Sequence, residues 1–123
     1  MALKLSKLAD GEIAVLEPRG ELIGGDETDE LRNEVTNLFG EGNRKLIIDL
    51  GKTIYLNSTA IGVLIWAHTH YSKNGGEVKL ANLNKSIKNI FVITKLTMVF
   101  DVRDSQIDAV ASFAGEKKQL VNK

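Results

Sequence analysis

The sequence predicts one α/β domain with a mostly parallel central sheet of about five strands, an N-terminal antiparallel hairpin and about four helices. Segments typical of strands alternate with segments of helical periodicity in the order ββαβαβαβα, which favours parallel strands joined by right-handed crossovers. Residues 45–50 (KLIIDL) form a short apolar run, as expected of a strand buried on both faces. The 123 residues, 43% of them hydrophobic, suffice for one core and are too few for two ordinary domains.

The hairpin is predicted from residues 3–16. Apolar and polar residues alternate over the first strand, ADGE at 9–12 has the composition of a turn, and IAVL at 13–16 is apolar again. Pro18 ends the regular ladder or lies at its edge, because proline has no N–H to donate. Residues 20–25 are predicted to form a glycine-rich loop, in which Leu22 and Ile23 either anchor onto the core or form a contact surface.

Polar caps mark the starts of the first three helices: Asp26 with Asp29 in the capping-box position, Asn57 or Ser58, and Asn84. These helices are expected to end near residue 40, at the glycines 75–76 and near residue 94. A short strand at 98–102 and a helix at 105–113 complete the chain. We therefore expect residues 1–114 to form the domain and residues 115–123 to form a polar, flexible tail.

Composition excludes several classes of function. Sixteen basic and sixteen acidic residues balance, so there is no general attraction to nucleic acid. The sequence contains no cysteine, which rules out disulfides and thiolate metal sites. No apolar run approaches the ~18 residues of a membrane span, and the N-terminus has no signal-peptide core, so we expect a cytoplasmic protein without membrane insertion.

The main candidate site is the turn at which the second helix begins. Ser58 has two interpretations: a plain helix cap, or an exposed hydroxyl at which a phosphate would meet unpaired N–H groups and the positive end of the helix dipole. Position alone favours the cap, since caps are far commoner than phosphosites. Partner sites of such sheets lie where strands lead into helices, and residues 23–25 are placed at a second such loop.

The helix that begins here is predicted to have two faces. At 100° per residue, the face toward the sheet carries Ala60, Ile61, Leu64, Ile65, Ala67, His68 and Tyr71. The outward face carries Thr59, Gly62, Val63, Trp66, His70 and Lys73.

Taken in order, these segments resemble the sulfate transporter and anti-sigma factor antagonist (STAS) domain in its free-standing bacterial form. The resemblance extends from about Leu3 to Phe113. It rests on GEL at 20–22, IIDL at 47–50, NSTAIGVL at 57–64, the GG break at 75–76, NKSI at 84–87 and IF at 90–91.

The resemblance implies a STAS-like fold and a partner switch without enzymatic activity or a cofactor. Ser58 is the implied phosphoacceptor, with Thr59 less favoured. The unphosphorylated protein would bind an anti-sigma factor that is itself a serine kinase and so free a sigma factor. Phosphorylation would break the complex, and a phosphatase would restore it.

Two residues depart from the family pattern. Asn57 stands where the family usually has Asp, so a carboxylate is missing beside the acceptor. Trp66 stands outward where a smaller residue would let a partner approach; it is either an interface anchor or a ring packed over a neighbouring loop or the C-terminal tail. The expected partner-binding residues are Ile23, Gly24, Asn57, Ser58, Thr59, Gly62 and Trp66.

Other functions have less support. A hydrolase would need His68 or His70 as base, but ten residues of helix span ~15 Å, out of reach of Ser58. The two histidines point to different sides, so we expect a satisfied core His68, a solvated His70 and no metal site. A scaffold in a large stress-sensing assembly and an adaptor of a membrane transport complex remain alternatives. A monomer or weak dimer would favour the partner switch.

Overall fold

The computed structural model describes residues 3–121, with side chains up to residue 114, so residues 122–123 of the expected tail lie outside the described part. The strands are β1 (Leu3–Leu8), β2 (Ile13–Pro18), β3 (Gly20–Leu22), β4 (Lys45–Asp49), β5 (Thr53–Leu56), β6 (Glu77–Ala81) and β7 (Asp101–Arg103). The helices are α1 (Asp26–Gly40), α2 (Ser58–Lys73), α3 (Lys85–Ile93) and α4 (Gln106–Val121).

The main sheet has five strands in the order β1-β2-β4-β6-β7. β1 and β2 form the antiparallel hairpin, and β2, β4, β6 and β7 pair in parallel. β3 and β5 form a separate parallel two-stranded ribbon. The predicted fold class, with its hairpin, mixed five-stranded sheet and four helices, is confirmed.

Alternating side chains of the sheet enter two apolar layers, as the two-residue period of a strand requires. Residues Ala14 and Leu16 of β2 and Ile48 of β4 pack with the buried faces of α1, α2 and α3. Residues Val15 of β2 and Ile47 of β4 pack with α4 on the other face. The sheet is therefore covered by helices on both sides.

Three predicted elements differ in the structure. The loop expected at 20–25 begins with β3, because Leu22 is fully buried and pairs with Leu56 of β5. The last strand begins at Asp101 rather than at residue 98, because a 3₁₀ turn at Leu96–Met98 follows Lys95, whose φ is 62°. The last helix continues from residue 113 to Val121 and so includes backbone that was expected to lie in the tail.

Local details of two helices also differ from the prediction. Asp26 is the first residue of α1 rather than its cap, and the cap is Gly25. In α2, Val63 is buried, whereas it was expected outward, and Ile65 is 37% exposed, whereas it was expected inward. α2 packs against α1 as well as against the sheet, and Val63 belongs to the main core.

A cluster of charged side chains around the buried Lys79 joins β6 to β7. The Lys79 side chain is fully buried, and its Nζ lies 2.6 Å from Asp101 Oδ2 and 3.2 Å from Glu77 Oε2. Arg103 donates from Nε to Asp101 Oδ1 at 2.6 Å. Burial alone would raise the pKa of Asp101, but the hydrogen bonds from Arg103 and Lys79 outweigh it and hold the pKa below its usual value.

Candidate functional site

The candidate site lies where two neighbouring parallel strands end. Leu22 of β3 and Leu56 of β5 are paired in the ribbon, so the residues that follow each of them leave the sheet side by side. The amide of Asn57 donates to the carbonyl oxygen of Leu22 at 3.1 Å and extends this pairing by one step. The ribbon thus brings Ile23 beside the N-terminus of α2.

Asn57 is the cap of α2, which decides between the two capping residues that the sequence allowed. Its Oδ1 accepts a hydrogen bond from the amide of Ala60 at 3.0 Å. Its Nδ2 donates to the carbonyl oxygen of Ile23 at 2.9 Å. The side chain therefore uses both ends of its amide, one within the helix and one across to the neighbouring loop.

Ser58 is the first residue of α2 and is exposed. Because Asn57 supplies the cap, the Ser58 hydroxyl is not needed for that role. The amides of Ser58 and Thr59 are the first two of the helix and have no acceptor within it. The first turn of α2 carries only neutral side chains, so an added phosphate would meet the helix dipole without a neighbouring acid in that turn.

The loop at Ile23–Gly24 is tied to both adjoining helices. The amide of Gly24 donates to Thr28 Oγ1 in the first turn of α1 at 2.9 Å. Gly24 has a φ of +89°, and a Cβ at this position would lie 3.2 Å from the Thr59 methyl carbon. The side chain of Ile23 is 50% exposed, so the loop presents an apolar group beside Ser58.

The outward face of α2 continues this surface away from Ser58. Thr59 and Gly62 are exposed, and apart from the adjoining residues and backbone of its own helix, no described atom lies within 4 Å of a Cβ added at Gly62. Trp66, one turn further along, is only partly exposed and packs against the main core. The surface at Gly62 is therefore open and carries no side chain at that position.

Trp66 packs between its own helix and α1, which neither sequence interpretation included. The Arg32 guanidinium of α1 lies 5.1 Å from the indole centroid. The ring of His70 stacks on the indole at 5.6 Å with an angle of 12°. The described contacts of Trp66 come from its own helix and from Arg32 of α1, a helix that only the tertiary fold places beside it.

The two histidines differ from their predicted environments. His70 is not simply solvated, because it stacks on Trp66 and its ring also lies 4.2 Å from that of Phe39. His68 packs edge-on against Phe100, but its Nδ1 is buried without a hydrogen-bond partner in the described part of the chain. The expectation of satisfied His68 nitrogens is therefore wrong for Nδ1.

Sequence reasoning missed two residues that shape the site, Thr28 and Arg32. Thr28 is buried near the start of α1, and a polar residue at an apolar helical position was the available signal. Arg32 gave no signal, because an exposed arginine is ordinary on a helix surface.

The described residues contain neither a candidate metal site nor a candidate membrane-spanning helix. Among residues 3–114, whose side chains are described, no group of three or more histidine, aspartate or glutamate side chains is arranged to hold a metal ion. Within residues 3–121, no helix combines the length and apolar character that crossing a bilayer requires.

Comparison with known proteins places this geometry in a family. The STAS domain family profile matches residues 4–109. BtrV of Bordetella bronchiseptica, which is named as an anti-sigma factor antagonist, is 25% identical over 113 residues, covering 92% of this chain and 95% of that protein. The anti-sigma-B factor antagonist of Bacillus subtilis is 33% identical over 72 residues, covering 58% of this chain and 65% of that protein.

A solved structure shares the fold. A crystal structure from Thermotoga maritima, described as an anti-sigma factor antagonist, superposes with a TM-score of 0.81 at 19% identity, covering 89% of this chain and 92% of that one. The family profile covers most of the chain, including both strand ends that form the candidate site. The chain therefore belongs to the STAS domain family.

Proposed function

We propose that this protein is a cytoplasmic anti-sigma factor antagonist whose binding is switched by phosphorylation of Ser58. In its unphosphorylated form it binds a cognate anti-sigma factor, itself a serine kinase, and so releases a sigma factor. The kinase phosphorylates Ser58 and ends the complex, and a phosphatase restores it. The observation that carries this proposal is an exposed Ser58 hydroxyl, not used as the helix cap, beside the Ile23–Gly24 loop.

The electrostatics of α2 support a reversible switch. A phosphoserine carries about −1.5 to −2 charges at pH 7. On the free protein this charge faces water and the positive end of the helix dipole, so it costs the fold little. In a closely packed complex the same charge must be desolvated, which weakens binding.

The packing of Thr59 supports Ser58 as the acceptor. The Thr59 side chain lies against Gly24, with its methyl carbon 3.2 Å and its Oγ1 3.7 Å from the Cβ position of that glycine. Both residues are exposed, but the loop lies against one side of the Thr59 side chain and restricts how a kinase approaches its hydroxyl. The Ser58 hydroxyl is exposed and is not used as the helix cap, because Asn57 makes the capping contact.

The relatives named as anti-sigma factor antagonists support the same role. Their names indicate the class of partner that we propose for this protein, an anti-sigma factor. The partner surface we propose comprises Ile23, Gly24, Asn57, Ser58, Thr59, Gly62 and Trp66.

The test is mass spectrometry of the purified protein after incubation with ATP and extract of its host. We expect one phosphate on residue 58, lost in Ser58→Ala and kept in Thr59→Val. Ser58→Ala should still bind the anti-sigma factor recovered from the host, and Ser58→Asp should bind it at least tenfold more weakly. Equal binding of both variants would exclude a switch at Ser58.

Size separates this proposal from the scaffold alternative. The partner switch expects a monomer or weak dimer in gel filtration, alone and as a small complex with the anti-sigma factor. A megadalton assembly with other host proteins would instead support a scaffold.

A further inference from the structure

We propose that Asn57 is a positioning residue that holds the Ile23–Gly24 loop in the conformation that the partner binds. The inference rests on the proposed function for its partner, but its structural part concerns this chain alone. Asn57 links three elements: its backbone amide bonds to the Leu22 carbonyl at the end of β3, its Oδ1 caps α2, and its Nδ2 bonds to the Ile23 carbonyl.

The orientation of the Asn57 amide is set by its two contacts. The Ala60 N–H requires an acceptor, and the Ile23 carbonyl requires a donor. Only one placement of the oxygen and nitrogen satisfies both, so the contacts fix which atom faces the loop.

Few side chains could replace this arrangement. An aspartate can accept from the Ala60 amide but, when ionised, has no hydrogen to donate to the Ile23 carbonyl. A serine can also accept at the cap, but its single short hydroxyl cannot reach both partners at once. Asparagine therefore adds a donor across the loop while keeping position 57 uncharged.

The rest of the loop has limited support. On the α1 side, Gly24 donates one hydrogen bond to Thr28. On the α2 side, the Ile23 backbone accepts one hydrogen bond within the described residues, from Asn57 Nδ2. Because Gly24 has the freedom of glycine at a φ of +89°, loss of the Asn57 bond should let the Ile23 peptide reorient.

Order in this loop matters for binding because a preformed surface avoids an entropic cost. Fixing the backbone of a residue in one conformation costs conformational entropy. If Ile23 and Gly24 are ordered before binding, that cost is met during folding rather than in the complex. The exposed Ile23 side chain is then presented beside Ser58 in one fixed position.

Three variants separate the donor from the cap and from charge. Asn57→Ser keeps a capping acceptor and removes the donor, and Asn57→Asp does the same while adding a negative charge. Asn57→Ala removes both contacts. The first measurement is the ¹⁵N relaxation order parameters of Ile23 and Gly24 in the free protein. The second is the affinity of each variant for the host anti-sigma factor, identified as the partner that the Ser58→Ala variant still binds.

We expect lower order parameters at Ile23 and Gly24 in both Asn57→Ser and Asn57→Asp, with α2 unchanged. Affinity should fall about tenfold in Asn57→Ser, equivalent to about 1.4 kcal/mol, and further in Asn57→Asp. Only Asn57→Ala should also fray the first turn of α2.

Two results would overturn the inference. Unchanged loop order in Asn57→Ser and Asn57→Asp would show that the bond to Ile23 does not hold the loop. Wild-type affinity in Asn57→Ser, with weak binding in Asn57→Asp, would show that charge rather than positioning decides binding. If the wild-type protein binds no anti-sigma factor, the proposed function fails, while the relaxation data still decide whether Asn57 orders the loop.

Discussion

Gly24 lies so close to Thr59 that a Cβ atom on the glycine would stand 3.2 Å from the threonine methyl carbon. The contact joins the loop after β3 to the first turn of α2, at the surface that we propose for partner binding. The loop packs against the Thr59 side chain, and the absence of a side chain at Gly24 allows this close contact. Changes on either side of this contact should affect the surface before they affect the core.

Gly24→Ala should destabilise the protein by about 1–2 kcal/mol. The φ of +89° is unfavourable for any residue with a Cβ, and the new methyl would crowd Thr59. Gly25→Ser is the matched control, because Gly25 caps α1 at a negative φ with open space around it in the described structure. Urea unfolding should leave Gly25→Ser within about 0.5 kcal/mol of wild type; an equal loss in both would contradict the close contact as the cause.

Ser58→Asp should leave the free energy of unfolding unchanged or raise it by about 0.3–1 kcal/mol. A negative charge in the first turn of a helix interacts favourably with its dipole. Ser72→Asp, in the last turn of the same helix, should instead lower it. Both effects should shrink in high salt. A large loss of stability in Ser58→Asp would mean that weak partner binding reports unfolding rather than a switch.

Gly62→Ala should stabilise the free protein and weaken partner binding. Alanine is favoured over glycine inside a helix by about 0.5–1 kcal/mol, and the described residues leave space for the new methyl. Thermal unfolding and titration with the anti-sigma factor measure the two effects on one variant. Higher stability with unchanged affinity would remove Gly62 from the partner surface.

Trp66→Ala should cost about 1–3 kcal/mol of folding stability as well as affecting binding. The indole packs against the core, stacks on His70 and lies 5.1 Å from the Arg32 guanidinium. A double-mutant cycle with Arg32→Ala should give a coupling of about 0.5–1 kcal/mol. An unchanged melting temperature in Trp66→Ala would contradict the packed position and favour the pure interface anchor.

Asp101→Asn should destabilise the protein by about 2–4 kcal/mol, because it leaves the buried Lys79 ammonium without its nearest carboxylate. Asp104→Asn is the control, since Asp104 is 87% exposed and pairs with Lys88 at 3.7 Å; its effect should stay within about 0.5 kcal/mol. Similar losses of stability in both variants would show that the Lys79–Asp101 pair stabilises the fold no more than an exposed ion pair does.

The same carboxylate predicts a dependence of stability on pH. Because the pKa of Asp101 is lowered in the folded protein, its contribution is fully present above the unfolded pKa of about 3.9. The contribution is lost as the pH falls through the lower folded value. Acid unfolding curves should therefore show a smaller loss of stability below pH 4 in Asp101→Asn than in wild type.

The sequence by itself determined the features set by neighbours along the chain. The order of the main-sheet strands and the helices follows from apolar periodicity, and the caps at Asn57 and Asn84 follow from bonds to residues three positions away. It also determined that Ser58 begins a helix after a strand. Each of these depends on contacts within one turn or one strand, which a linear pattern records.

Only the tertiary structure decided which of these elements lie side by side. β3 has only three residues, too few to show the two-residue period of a strand. It is a strand because it pairs with β5, more than thirty positions away in the sequence. Likewise, Arg32 reaches Trp66 only because α1 packs on α2, and Asn57 bonds to Ile23 only because their strands are neighbours. The sequence thus predicts Ser58 and the helix that it begins, whereas the surface around Ser58 depends on long-range strand pairing and helix packing.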